Sequence, residues 1–290
     1  MSFKKRLISG EFVVLSEMNT PKGVDISEFI TNARKVKGRV DAVIIPDMDS
    51  GVMKMSALAG GVLMQQQGIE AVIHTYCRDK NRLAIQGDLL AAHVLGVQNV
   101  LVVQGEPIEN TDHRDAKPVY DLDETALFRV IQSLQEGADM GGFELKGAPT
   151  FFVGCSLGKY SDDASLDKEI EKAQEKIKAG ARFVVTPYIF DVNHFAKDLE
   201  KIKTLGVPVI ASVFLIKSVG IARYMAINEP GSRISEDLIK RIRKAPDRDT
   251  ECLKIAGETV ASLKKLVQGV VIVTLGWENR LPSILDYANI

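Results

Sequence analysis

Residues 71–103 read AVIHTYCRDKNRLAIQGDLLAAHVLGVQNVLVV. The β-branched run Ala71-Val72-Ile73-His74 precedes a helical segment from about Asp79 to Leu95, and Val100-Leu101-Val102-Val103 follows it. Continuous apolar runs without polar alternation suit parallel strands buried on both faces. The unit recurs along the chain. Strand-like runs begin near residues 12, 41, 70 and 99, a repeat of 29 residues. That is the length of a strand, a helix and their loops. Further runs are Thr150 to Gly154, Phe183 to Thr186, Val209 to Val213 and Val270 to Leu275. Eight strands, each followed by helix, predict a single (β/α)8 TIM barrel spanning residues 1–290. Asp25 and Asp79 are the expected N-caps of the helices that follow them. The competing architecture is an open doubly wound sheet, which normally carries a Gly-rich phosphate loop after its first strand. Ser16-Glu17-Met18-Asn19-Thr20-Pro21 is not such a loop.

Composition removes several functions. The chain is 46% hydrophobic and balances 37 basic against 38 acidic residues, a net charge of −1. A disordered chain would show low hydrophobicity and high net charge. A general nucleic-acid binder would show a basic excess. No apolar stretch approaches the roughly 18 residues that a membrane span needs. The basic start, Lys4-Lys5-Arg6, lacks the apolar region of a signal peptide, so a cytoplasmic protein is expected. The three cysteines, Cys77, Cys155 and Cys252, lie far apart and form neither a disulfide framework nor a metal-ligand motif. No metal site is predicted.

In a TIM barrel, functional groups sit at the C-terminal ends of the strands. Those positions hold Glu17, Asp47, His74, Gln104 with Glu106, Cys155 with Ser156, Tyr188, Lys217 and Glu278. Glu17 is the first carboxylate after an apolar strand. Desolvation there would raise its pKa and suit it to general-acid work. The alternative is a salt bridge to Lys217 or Arg78. His74 is either a hydrogen-bonded structural residue or a site group. Arg78 and Arg82, near a helix N-terminus, could bind an anion, or Asp79 simply caps that helix. The irregular stretch from Gly105 to Asp123 is long enough for a binding loop or for a surface insertion. Cys155 reads by default as a small buried hydrophobe. The residues alone describe a barrel with an acidic, anion-friendly mouth.

Five segments carry a resemblance. They are Leu15-Ser16-Glu17, His74 to Asp79, Val103-Gln104-Gly105-Glu106, the Ala179-Gly180-Ala181 turn preceded by Lys176, and Tyr188-Ile189-Phe190-Asp191. In this order the chain resembles the methylenetetrahydrofolate reductase family, and most of all its short flavin-containing forms. Cys77 to Arg82, His113 to Asp123 and Lys217 to Met225 are similar to those forms. The resemblance implies a flavin, FAD or FMN, and reduction of 5,10-methylenetetrahydrofolate to 5-methyltetrahydrofolate in one-carbon metabolism. It implies that Glu17 is the general acid and that Glu106 stands where the family has an aspartate near the flavin. It matches His74, Gly105, Tyr120, Glu169 and Lys176 to flavin-contacting positions. Asp47, Gln104 and Cys155 are further cofactor-binding candidates, and Tyr188 and Lys217 substrate-binding ones. Pro187 stands where many members carry a folate-binding glutamine, Val219 where some carry an aromatic, and Gln104 where an arginine is common. NADH or NADPH is one candidate electron donor, and ferredoxin or a partner subunit the other. Some relatives work with an iron–sulfur or zinc-binding partner subunit, and this chain alone lacks the cysteines for a cluster. An oligomer is expected, with residues 234–266 offering surface for it. Two other readings fit the sequence. One is a pterin-binding methyltransferase on the same barrel; the other is an electron-accepting subunit that is active only with its partner.

Overall fold

The computed structural model describes residues 1–229 and 231–290. Its elements in chain order are α1 (Phe3–Ile8), β1 (Val13–Glu17), α2 (Ser27–Val36), β2 (Ala42–Ile45), α3 (Ala57–Gln66), β3 (Ala71–Thr75), α4 (Arg82–Val94), β4 (Asn99–Val102) and α5 (Glu124–Gln135). They continue with β5 (Phe152–Ser156), α6 (Asp163–Lys178), β6 (Val184–Tyr188), α7 (Val192–Ile202), β7 (Val209–Phe214), α8 (Val219–Asn228), α9 (Glu236–Lys244), α10 (Arg248–Leu263), β8 (Gly269–Val273) and α11 (Leu281–Tyr287). The eight strands close in sequence order, and β8 pairs in parallel with β1 from Val13↔Gly269 to Glu17↔Val273. The fold is the predicted (β/α)8 barrel.

Two cores follow from the alternation of side chains along each strand. Val14, Val43, Val100, Val153 and Ala211 face outward and pack under the helices. Val13, Leu15, Ile44, Val72, Leu101, Phe152, Phe183, Ile210 and Val271 fill the inside. The N-terminal helix α1 was not foreseen. Its basic residues masked an apolar pair, Phe3 and Leu7, which joins the inner core. The Phe3 ring lies edge-on to Phe152 at 5.8 Å and to Phe183 at 5.7 Å. Its backbone amide donates to Glu70, and Arg6 of α1 pairs with Asp41. Gly154 makes room for these rings, because a Cβ there would stand 2.3 Å from Phe183. The N-terminal end of the barrel is therefore closed by packed aromatic side chains.

Two expected helix starts differ. α2 begins at Ser27 rather than Asp25, although the Asp25 carboxylate still accepts from the Ser27 amide. α4 is capped by Asn81, which accepts from Leu83 and Ala84. Asp79 does not cap it, because that carboxylate is already held by Arg78 and Tyr76. Among the described residues, no helix is long and apolar enough to cross a membrane.

Candidate functional site

The C-terminal end of the barrel opens into a cavity of about 550 Å³. Its deep wall is apolar, with Leu101, Val103, Leu157, Val185, Val271 and Val273. Polar groups gather above that wall. Glu17, His74, Gln104, Glu106 and Tyr188, all read from strand ends in the sequence, line the same cavity.

Glu17 ends β1 and is half-buried. It pairs with neither Lys217 nor Arg78. Its neighbours are Asn19, whose amide nitrogen lies 3.5 Å from Oε1, and the charged groups of His74, Asp49 and Lys54. Burial is the strongest influence and pushes the carboxyl above the usual carboxylate range. Asp49 pushes the same way, while His74, Lys54 and the Asn19 hydrogen bond pull it down. The net result is a raised pKa.

His74 sits on β3, and its Nδ1 lies 3.2 Å from Oδ1 of Asp49. The side chains are 11% and 15% exposed, so water screens the pair little. Burial opposes a charged imidazole here, but the Asp49 charge, its hydrogen bond and the Glu17 charge outweigh it, and the His74 pKa is raised. For Asp49, burial pushes upward, yet His74 and Lys54 overcome it and lower the carboxyl. Lys54 is buried and donates to Asn19 at 2.6 Å. Burial lowers its pKa despite three nearby carboxylates. Asp49, Asn19 and Lys54 were missed in the sequence. They lie in loops with no periodicity, and only folding brings them to Glu17.

Arg78 holds this side of the mouth together. It is buried. Its guanidinium donates to Asp79, to the carbonyls of Met48 at 2.7 Å and Glu106 at 2.6 Å, and more weakly to that of Asp49. The Glu106 amide in turn donates to the Asp49 carbonyl at 2.8 Å. One side chain thus ties the loops after β2, β3 and β4. Gly105 lies inside this knot, where a Cβ would stand 3.0 Å from the Tyr76 ring. The Arg82 guanidinium grips Asp121.

Tyr188 reaches the mouth because β6 is irregular. Pro187 offers no backbone donor, and the β6–β7 register shifts between Val185 and Tyr188. Ser212 there donates its amide to the Thr186 hydroxyl and its hydroxyl to the Thr186 carbonyl. The Tyr188 ring packs on Phe214 at 5.0 Å, and burial pushes its phenol well above the usual value. Lys159 and Glu229 form an ion pair at 2.9 Å, and both line the cavity.

The other candidates lie outside the cavity lining. Asp47 is buried, and its carboxylate accepts from the first amide of α3 and from Lys80. Tyr120 is exposed, with a positive φ of 44°. The Cys155 side chain belongs to the outer core, and burial pushes its thiol up to about 12. Glu169 accepts from the Gly158 amide and pairs with Lys172. Lys176 is buried against Glu124 at 2.5 Å. Lys217 donates to the Leu275 carbonyl and lies 5.3 Å from the centre of the Trp277 ring.

Known proteins share this architecture. An uncharacterized protein from Clostridium thermocellum, described as binding two copies of 5-methyl-5,6,7,8-tetrahydrofolic acid, superposes with a TM-score of 0.66 at 12% identity, covering 99% of each chain. The EDTA monooxygenase EmoA from Chelativorans sp. BNC1 follows at 0.58 and 8%, covering 96% of this chain and 94% of its own. These two likenesses concern the fold alone. In sequence, methylenetetrahydrofolate reductase 2 of Schizosaccharomyces pombe is 24% identical over 224 residues, which is 75% of this chain and 34% of the yeast protein. Methylenetetrahydrofolate reductase 2 of Saccharomyces cerevisiae is 27% identical over 154 residues, 51% of this chain and 24% of its own. The matched region is thus 34% and 24% of the two relatives' lengths. The sequence model described as methylenetetrahydrofolate reductase matches residues 2–289, so the chain belongs to the methylenetetrahydrofolate reductase family.

Proposed function

We propose that this chain reduces 5,10-methylenetetrahydrofolate to 5-methyltetrahydrofolate, with Glu17 as the proton donor and a bound flavin as the hydride donor. The observation that carries the reading is Glu17 itself. It is a half-buried carboxylic acid with a raised pKa, at the mouth of a cavity of ligand size. Family membership supplies the substrate class. The tetrahydrofolate bound by the clostridial neighbour is consistent with it.

The residues fit the ring portion of a flavin. An apolar wall under a rim of hydrogen-bonding groups suits a flat heteroaromatic ring, and His74, Gln104, Glu106 and Ser156 would hold its polar edge. The phosphate end fits less well at Lys176, because Glu124 already neutralises that ammonium. When bound, the flavin supplies the hydride that reduces the one-carbon bridge. Glu17 would give its proton to the folate N10, which opens the five-membered ring to an iminium. Burial favours the protonated form of Glu17. Tyr188 and Phe190 add aromatic surface to the opposite wall for the pterin. NADH or NADPH would reload the flavin.

The test is an absorbance spectrum of the purified chain, the mass of any released cofactor, and folate turnover by wild type and E17Q. Flavin bands, folate turnover, and its loss in E17Q with flavin retained are expected. A colourless protein that cannot be reconstituted with flavin would overturn the cofactor reading. Full turnover by E17Q would overturn the acid. Flavin that NADH and NADPH leave oxidised would point to a partner subunit as the electron source.

A further inference from the structure

The proposed reaction uses His74 only at the polar edge of the flavin and gives Asp49 no role. Asp49 offers His74 a carboxylate at 3.2 Å, and both side chains are almost shielded from water. Nε2 of His74 makes no hydrogen bond among the described residues, although the ring lines the cavity. Glu17 on β1 lines the same cavity as His74, and the charges of Glu17 and of Lys54, in the loop before α3, both act on the imidazole. Glu106 and Tyr188 line the same cavity from the β4 loop and β6.

We propose that Asp49 is a positioning residue that holds His74 as an imidazolium beside Glu17, so that the carboxylate left after Glu17 gives up its proton meets a cation. This rests on the reading of Glu17 as the acid. The physical need is plain. A buried carboxyl keeps its proton well but releases it badly, because the anion left behind is poorly solvated. A fixed neighbouring cation favours the ionised product of the transfer without any rearrangement at the moment of reaction. Asp49 supplies the counter-charge that keeps the cation in place, as the carboxylate behind a catalytic histidine does elsewhere. The proton moves from the Glu17 carboxyl to the substrate nitrogen. His74 and Asp49 exchange none.

The sign of the effect is fixed by the local charges. His74 lowers the Glu17 pKa more strongly than Asp49 raises it. Losing both charges leaves Glu17 a weaker acid. In D49N, burial and the Lys54 charge act against a charged His74, and the Glu17 carboxylate is left as its favourable neighbour.

The experiment is histidine-labelled NMR on the whole chain, which has four histidines, with the His74 signal assigned by its loss in H74Q. Wild-type His74 should titrate above the ordinary value of about 6.5 and D49N below it. D49E should return toward wild type. A D49N variant whose His74 titrates as in wild type overturns the proposal. In the folate assay, D49N should lose on the order of tenfold in kcat, the equivalent of one pKa unit, with KM changed little. Its alkaline limb should move to higher pH. Wild-type kcat with an unmoved limb would likewise overturn the proposal. If wild type itself reduces no folate, the proposed function fails, and the histidine titration then decides the Asp49–His74 pairing by itself.

Discussion

The two ends of the barrel solve opposite problems. At the N-terminal end, the Phe3 ring meets Phe152 and Phe183 edge to face, and Gly154 and Gly269 clear space that a Cβ would fill. At the C-terminal end, Glu17, Asp49 and His74 share a partly desolvated space beside a cavity of about 550 Å³. The first end stabilises the fold through apolar burial, roughly 1.5–3 kcal/mol for a fully buried large side chain. The second holds charges that burial penalises. The contrast teaches where this chain places its cost. Packing beneath offsets a mouth arranged for chemistry rather than for stability.

The largest expected effect belongs to the mouth. E17Q should cut folate turnover by about 10²–10⁴-fold, the usual contribution of a general acid, while leaving the far-ultraviolet circular dichroism unchanged. Wild-type turnover should fall as pH rises through the raised pKa of Glu17, because the acid must enter the reaction protonated. An alkaline limb that persists in residual E17Q turnover would assign it to another group.

F3A tests the closed end. Removing a fully buried ring should cost about 3–5 kcal/mol, read as a lower denaturant midpoint. Turnover per folded molecule should stay near wild type. A stable F3A variant with lost activity would mean that the two ends are coupled, and the comparison would break.

R78M comes next. It should cost about 2–3 kcal/mol, since the Met48 and Glu106 carbonyls and Asp79 lose their shared donor. Unlike F3A, it should also lower turnover, because the backbones carrying Asp49 and Glu106 lose their common tie. Activity loss without destabilisation would recast Arg78 as a ligand-binding group.

The smallest effect sharpens the comparison most. With its folded pKa raised, Glu17 adds no penalty below the unfolded carboxyl value of about 4.3. Stability is lost as pH rises from there toward the folded value, because the unfolded chain ionises first. E17Q should therefore match wild type in acid and gain on it as pH rises. Paired thermal melts across that range check this, and a difference independent of pH would contradict the raised pKa.

Much of the architecture was legible before folding. The apolar runs and their 29-residue repeat require parallel strands covered on both faces, and the observed strands fall within a residue or two of those runs. Strand-end reading found Glu17, His74, Gln104, Glu106 and Tyr188, because the polar residue that ends an apolar strand must face the mouth. The same rule overreached at Asp47 and Cys155. Side chains alternate along a strand, and one residue of phase separates the cavity from the helix layer. Cys155 faces that layer, and Asp47 serves the α3 N-terminus.

The sequence by itself determined the barrel, the order of its strands and the carboxylate at the end of the first one. These depend on local periodicity, which one chain displays without its fold. Only the tertiary structure decided that Asp49 meets His74, that Arg78 ties three loops, and that α1 closes the far end of the barrel. Each of these joins segments separated along the chain through a side-chain hydrogen bond or a packed ring. No periodicity encodes such contacts. They exist once barrel closure brings the loops after β2, β3 and β4 side by side.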